Sequence, residues 1–286
     1  MNAQAMSKPP RRIWLCADDY GLAPGVNAAI RELIARGRLN ATSVMTAAPH
    51  CGRDEAAALD TLNTGKKRAA IGLHVTLTGP LKPMSAGFTP LRDGAFLPVN
   101  DMLKRASARR LNVEPLAIEI AAQLRAFIDT FGRLPDFIDG HQHVHLFPQV
   151  RTAFLKVVAE MAPKVWVRQC GRARPHKRLH DHKSLVLDIL SLAFRRQAKR
   201  HGIAINPAFA GAYAFTATAN YPKIFPRFLD GLPDGGLIMC HPGFVDAELE
   251  RLDPLTTLRE HEFAYFNSDE FPKVLAEHGA ALAEPA

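Results

Sequence analysis

The chain has 286 residues, 47% of them hydrophobic, enough for one substantial buried core, and a formal net charge of +8. No stretch approaches the ~20 apolar residues of a membrane span, and the apolar run after Arg12 breaks at Asp18, too early for a secretory leader. The charge is concentrated: Lys164 to His201 holds eleven Lys and Arg against two Asp and Glu, leaving 25 against 26 elsewhere. That excess reads as a solvated helix face or a contact surface for anions; without aromatic interleaving or a nucleic-acid motif, no nucleic-acid partner is expected. Cys16, Cys51, Cys170 and Cys240 stand far apart without paired spacing, which predicts reduced thiols and a cytoplasmic setting.

Short apolar runs alternate with helical patterns, the signature of parallel strands joined by crossover helices. Ile13 to Ala17 is the first strand, followed by a helix around Val26 to Ala35 that Gly37 closes. Ser43 to Ala47 gives the second strand, a polar helix around Arg53 to Leu62 follows, and Ile71 to Leu77 gives the third. Thr78 to Asn100 has no sustained period and reads as a long loop of the kind that forms a lid or substrate wall. Ile120, Leu124, Phe127, Ile128 and Phe131 recur at helical spacing with Gly132 as the stop, and Phe137 to Asp139 is a short strand. Pro148 fits the first turn of a helix whose Val150, Phe154, Val157, Val158 and Met161 share one face. Val165 to Val167 is a fifth strand, Leu185 to Ala193 a helix running into Arg195, Arg196, Lys199 and Arg200, and Ile203 to Phe209 a further strand candidate. Ile224 to Leu229 lies in a helix, Leu237 to Cys240 is a buried strand, and Phe271 to His278 a closing helix. About seven strands with helices between them predict an α/β fold, a distorted TIM-like (β/α) barrel, with residues 1–286 as a single domain.

Asp18, Asp19, His74, His141 and His241 all stand at the ends of apolar runs, where a parallel barrel gathers its active site. Asp18 and Asp19 repel each other if both are buried and ionised, and a cation beside them removes the conflict. One can then hold metal while the other takes protons from water; an exposed acidic turn before Gly21 is the plainer alternative. His74 alone would read as a satisfied core residue, and gains meaning from His141. In Asp139-Gly140-His141-Gln142-His143-Val144-His145, an extended backbone would set three imidazoles and a carboxylate on one edge, some of them orienting the others. Gly140 permits close backbone approach there. Arg168 ends its strand, ready either to pair with a site carboxylate or to begin the basic surface.

At these residues the chain resembles the YdjC-type carbohydrate deacetylases, the family of chitooligosaccharide deacetylase and of the deacetylases associated with hopanoid biosynthesis. The matching pieces are ADDYG, IGLH, FG-R-L-P followed by DGHQHVHLFP, and LIMCHPGF, in family order over nearly the whole chain. The resemblance implies a (β/α) barrel with one divalent metal ion, Mg or Zn, and removal of the N-acetyl group from an amino sugar, chitooligosaccharide-like or lipid-linked. Carried over residue by residue, it makes Asp19, His74 and His141 the metal ligands, Asp18 the general base and His241 the acid or transition-state stabiliser. Asp139, His143, His145 and Arg168 then support ligands or substrate. Tyr20 stands where Phe is usual, which would put a hydroxyl near the base, and Gly140 stands where Ser is usual, which would remove a hydrogen bond beside His141.

Other readings stay open: a different barrel metal hydrolase, such as an amidohydrolase or phosphoesterase, or a non-catalytic carbohydrate or lipid-surface binder. In the amidohydrolase pattern a His-x-His pair follows the first strand, whereas here two aspartates do. The expected partners are an N-acetylated sugar, an anionic membrane surface met through Lys164 to His201, and a second copy in a homodimer.

Overall fold

The structure is a computed structural model that describes residues 9–173, 182–216 and 218–285; of the basic stretch, 174–181 lie outside the described residues. The strands are β1 (Arg11–Tyr20), β2 (Ala41–Val44), β3 (Ala70–Val75), β4 (Leu91–Arg92), β5 (Ala95–Phe96), β6 (Phe137–Gly140), β7 (Trp166–Val167), β8 (Phe209–Ala210), β9 (Leu237–Cys240) and β10 (Ala280–Leu282). The first five helices are α1 (Pro24–Ala35), α2 (Arg53–Leu62), α3 (Val99–Ser107), α4 (Val113–Phe131) and α5 (Val150–Met161). The rest are α6 (His182–Arg200), α7 (Tyr221–Leu229), α8 (Ala247–Leu252), α9 (Thr257–Asn267) and α10 (Glu270–Glu277).

Seven strands pair in the order β7-β6-β3-β2-β1-β9-β8, all parallel, with β10 added beside the start of β1. Strands buried on both faces read as continuous apolar runs, which is why β2, β3, β6 and β9 are fully buried along their lengths. The sheet curls into a half-barrel whose edges meet through residues 203–209: Val167 and Ile205 form a parallel bridge, and the Phe209 N–H donates to the Gly171 carbonyl at 3.0 Å. The distorted barrel expected from the sequence is therefore what forms, and β8 with its flanking bridge is the expected Ile203 to Phe209 strand, reduced to two short contacts.

Several elements depart from expectation for identifiable reasons. β1 runs on through Asp18 and Asp19 to Tyr20, with a register shift against β2 between Ala17 and Tyr20 and a left-handed φ of 70° at Asp19. Such a bulge turns neighbouring side chains that would otherwise point to opposite faces. Within Thr78 to Asn100, Asp93 and Gly94 both take positive φ, 51° and 78°, and close the β4–β5 hairpin. The end of that stretch opens α3, which buries only Met102 and Ala106 and so lacks a long apolar period. Pro148 precedes the α5 cap at Gln149 and lies outside the helix. His141–Leu146 is a 3-10 turn with φ of 52° at Gln142 and 57° at His143, which rules out the extended edge of three imidazoles.

Candidate active site

Asp19, His74 and His141 come together at the C-terminal ends of β1, β3 and β6. His74 Nε2 lies 3.4 Å from Asp19 Oδ1 and His141 Nδ1 lies 3.0 Å from the same oxygen, with one donor atom from each residue within 4.8 Å of the others. The rings of His74 and His141 stand nearly perpendicular, 5.6 Å between centroids. His74 is aimed from behind: its Nδ1 is 2.6 Å from Asp139 Oδ1 and 3.0 Å from Ser43 Oγ, leaving Nε2 facing the shared oxygen. A carboxylate behind an imidazole fixes its tautomer and raises its basicity, the usual arrangement for a metal-binding histidine.

Asp18 faces the other way. Its two oxygens accept from the Arg168 guanidinium, both at 2.6 Å, and Oδ1 also accepts from Ser43 Oγ at 3.1 Å. Arg168 is fully buried and also reaches Asp139 Oδ2 at 2.5 Å, so it serves two carboxylates and does not begin the basic surface. Asp19 has its own cation, Arg259, whose Nη2 donates to Oδ2 at 2.7 Å and to Asp253 at 2.6 Å. Burial by itself would raise both neighbouring aspartates, but Arg168 outweighs it at Asp18, and Arg259 with His141 at Asp19, so both carboxyls sit below the usual range.

Three fully buried carboxylates, Asp18, Asp19 and Asp139, face two fully buried guanidinium groups, Arg168 and Arg259. Arg259 also binds Asp253, so carboxylates outnumber guanidinium groups here, and buried charge short of partners is costly. Burial would lower His74, yet Asp139 and Asp18 push it up to about 10. The pocket therefore attracts positive charge at the point where the three donors converge. Two nitrogens and a carboxylate oxygen are a donor set that fits a divalent cation.

His241 follows β9 directly. Its backbone N–H donates to Glu262 Oε2 at 2.6 Å, its ring meets Phe215 edge-on at 5.6 Å, and its Nδ1 has no hydrogen-bond partner among the described residues. Burial lowers its pKa, with the Asp19 charge pulling the other way. Glu262, pushed up to about 7 by burial, also accepts from the Tyr213 hydroxyl at 2.7 Å.

Other residues singled out in the sequence stand apart from this centre. His145 is a core residue: Nε2 donates to the Arg168 carbonyl at 2.9 Å, and the ring packs against Phe154 and Phe194, both at 5.4 Å. Its influence on the site passes through the Arg168 backbone. His143 packs edge-on to Phe209 at 5.5 Å with Nδ1 3.5 Å from Cys170 Sγ, and desolvation followed by the Arg168 charge lowers it to about 3. A Cβ at Gly140 would come 2.9 Å from His145 Nδ1, so glycine here makes room for His145. The Tyr20 hydroxyl bonds Glu55 and Arg31, away from Asp18.

Sequence reasoning missed Arg259 and Glu262. A signal was present: Leu258, Glu262, Tyr265 and Phe266 occupy the buried face of α9 at helical spacing with Arg259 beside them, and charges on an apolar stripe call for partners. Beside the cluster opens a cleft of about 480 Å³ with His141 and Gln142 on one side and Leu81, Arg92, Phe96 and Asp253 around it. The expected wall is thus supplied by the 78–98 stretch, and its size suits a sugar-sized ligand.

A family model described as YdjC-like protein matches residues 12–277. Among curated relatives, the chitooligosaccharide deacetylase of Escherichia fergusonii is 28% identical over 239 residues, covering 80% of this chain and 81% of that one. The carbohydrate deacetylase of Clostridium beijerinckii is 26% identical over 271 residues, covering 89% and 94%. Among solved structures, an Enterococcus faecalis protein described in terms of cellobiose-phosphate cleavage superposes with a TM-score of 0.71 at 20% identity, covering 96% and 97% of the two chains. A Streptococcus mutans CE4 esterase gives 0.50 at 12% identity, covering 96% and 85%, so both show the fold. With a match that spans nearly the whole barrel and includes all the strand ends described above, the chain belongs to the YdjC-like protein family.

Proposed function

We propose that the protein is a metal-dependent carbohydrate N-deacetylase that releases acetate from an N-acetylated amino sugar. The observation that carries the reading is the convergence of Asp19, His74 and His141 beside a sugar-sized cleft that His141 lines. The names of the curated relatives, chitooligosaccharide and carbohydrate deacetylases, support the same substrate class. A divalent cation held by Asp19, His74 and His141 would supply Lewis acidity toward the acetamide carbonyl oxygen. The nitrogen-rich donor set favours zinc over magnesium.

Asp18 takes the proton of the attacking water; Arg168 keeps the carboxylate ionised but, by holding its pKa down, also weakens it as a base. Arg168 keeps that carboxylate in one orientation. His241, which burial holds toward its neutral form, takes up a proton that the Asp19 charge favours and gives it to the amine nitrogen as the C–N bond breaks, its backbone fixed by Glu262. The products are acetate and the free amine. The four free cysteines agree with a reducing, cytoplasmic compartment.

The test is acetate release from N-acetylglucosamine oligomers and from lipid-linked N-acetyl sugars, using chelator-stripped protein with and without added zinc or magnesium. Turnover restored by the ion supports the proposal. Full turnover in the stripped protein, or activity on phosphate esters alone, overturns it.

A further inference from the structure

α6 is fastened along one face and bare along the other. On the inner face Ser191, Phe194 and Ala198 are fully buried, the Asp188 carboxylate accepts from the Arg172 N–H at 2.9 Å and from its Nη2 at 2.7 Å, and Ser191 Oγ accepts from the Cys170 N–H at 3.0 Å. On the outer face Leu185, Val186, Ile189 and Leu192 are 52, 43, 62 and 43% exposed, and Arg196, Lys199 and Arg200 are exposed beyond them. Positions 185, 189, 192, 196 and 199 fall on one line of a helix. Of the nine exposed large apolar side chains among the described residues, four thus lie within eight consecutive positions of one firmly docked helix. Apolar residues scattered over a surface need no explanation, but a contiguous set does.

The direction of the helix adds a second fact. Cys170 and Arg172 follow the C-terminal end of β7, so the half of α6 tied to them, which carries the apolar stripe, lies at the same end of the barrel as Asp19, His74 and His141. The cationic turns point toward the opposite end. A two-fold pairing of copies on this stripe would add the exposed Arg196, Lys199 and Arg200 of each copy to one interface, like charges that oppose association. An anionic bilayer instead meets both features, taking the apolar side chains into the headgroup boundary and the cations against lipid phosphates.

We propose that the outer face of α6 is a docking surface for anionic lipid bilayers, holding the protein peripherally with this side of the barrel against the membrane. No described helix is long and apolar enough to cross a bilayer, so the attachment is reversible and salt-sensitive. The test is flotation of the full chain with phosphatidylcholine vesicles with and without phosphatidylglycerol, at low and high salt. The proposal expects binding only with phosphatidylglycerol, an order-of-magnitude loss with Ile189→Glu, and a loss on the order of 100-fold when Arg196, Lys199 and Arg200 are all changed to Gln. Both variants keep wild-type melting temperatures and unchanged turnover of a soluble N-acetyl sugar. No binding at low salt, or binding indifferent to Ile189→Glu, overturns it. So does a concentration-dependent dimer that Ile189→Glu dissolves, which makes the stripe a contact between copies. Vesicle binding requires no turnover, so the result stands apart from the deacetylase proposal.

Discussion

Two clusters of metal-ligand-type side chains lie side by side among the described residues, and a guanidinium group sits inside the second of them. Asp19, His74 and His141 form the first, and Cys16, Asp18 and Asp139 form the second, each with donor atoms within 4.8 Å of one another. The second already contains a cation: the Arg168 guanidinium lies 2.6 Å from both Asp18 oxygens, 2.5 Å from Asp139 and 3.0 Å from Cys16 Sγ. In the first, Arg259 binds the far oxygen of Asp19 and leaves Oδ1 to the two imidazoles. Adjacent residues of one strand thus acquire different partners, Asp19 two imidazoles and Asp18 a bidentate guanidinium, which suits them to the proposed roles of ligand and base.

Substitutions can break this contrast in order of severity. Asp19→Ala removes a ligand, and we expect metal content near zero with turnover down ~10³-fold or more, measured by metal analysis and acetate release on one preparation. Asp18→Asn should keep the metal while losing ~10²–10⁴-fold in turnover; equal loss of metal would mean that the two aspartates share one role. Arg168→Met leaves Asp18 and Asp139 buried without their cation and should cost about 3–5 kcal/mol in denaturant unfolding. The sign of its pH dependence follows from linkage. In the wild type, Asp18 is held below its ordinary value, so its contribution is present at neutral pH and lost as pH falls through the folded-state pKa. Without Arg168 that advantage is gone, so the deficit should shrink on acidification.

Glu262→Gln sharpens the comparison from the side of His241. A carboxyl raised to about 7 favours folding below its ordinary value of 4.5 and loses that advantage as pH rises toward 7. Gln carries no such penalty. The melting temperature of the variant should match wild type near pH 4 and exceed it at pH 8, and the reverse trend would show that Glu262 is ionised in the native state.

How much of this was legible in the sequence depended on range. Strand ends were readable because buried parallel strands are apolar runs, and a polar residue stopping such a run marks the barrel mouth; β9 matches its expected bounds, Leu237 to Cys240. The cluster Asp19, His74 and His141 emerged from that rule together with the family resemblance. The different partners of Asp18 and Asp19 were not visible from composition, because they depend on a bulge at Asp19 and on guanidinium groups delivered from beyond β7 and from α9. The three-histidine motif misled for a similar reason. Left-handed backbone at Gln142 and His143 wraps the segment into a turn, sending His145 into the core between Phe154 and Phe194. Local alternation assumes a strand, and here the chain had already left it.

The most direct test of the contrast is anomalous diffraction from crystals of the protein loaded with zinc. The account predicts one strong peak bounded by Asp19, His74 and His141 and no peak between Cys16, Asp18 and Asp139. A peak at the second cluster, or none at the first, would contradict it.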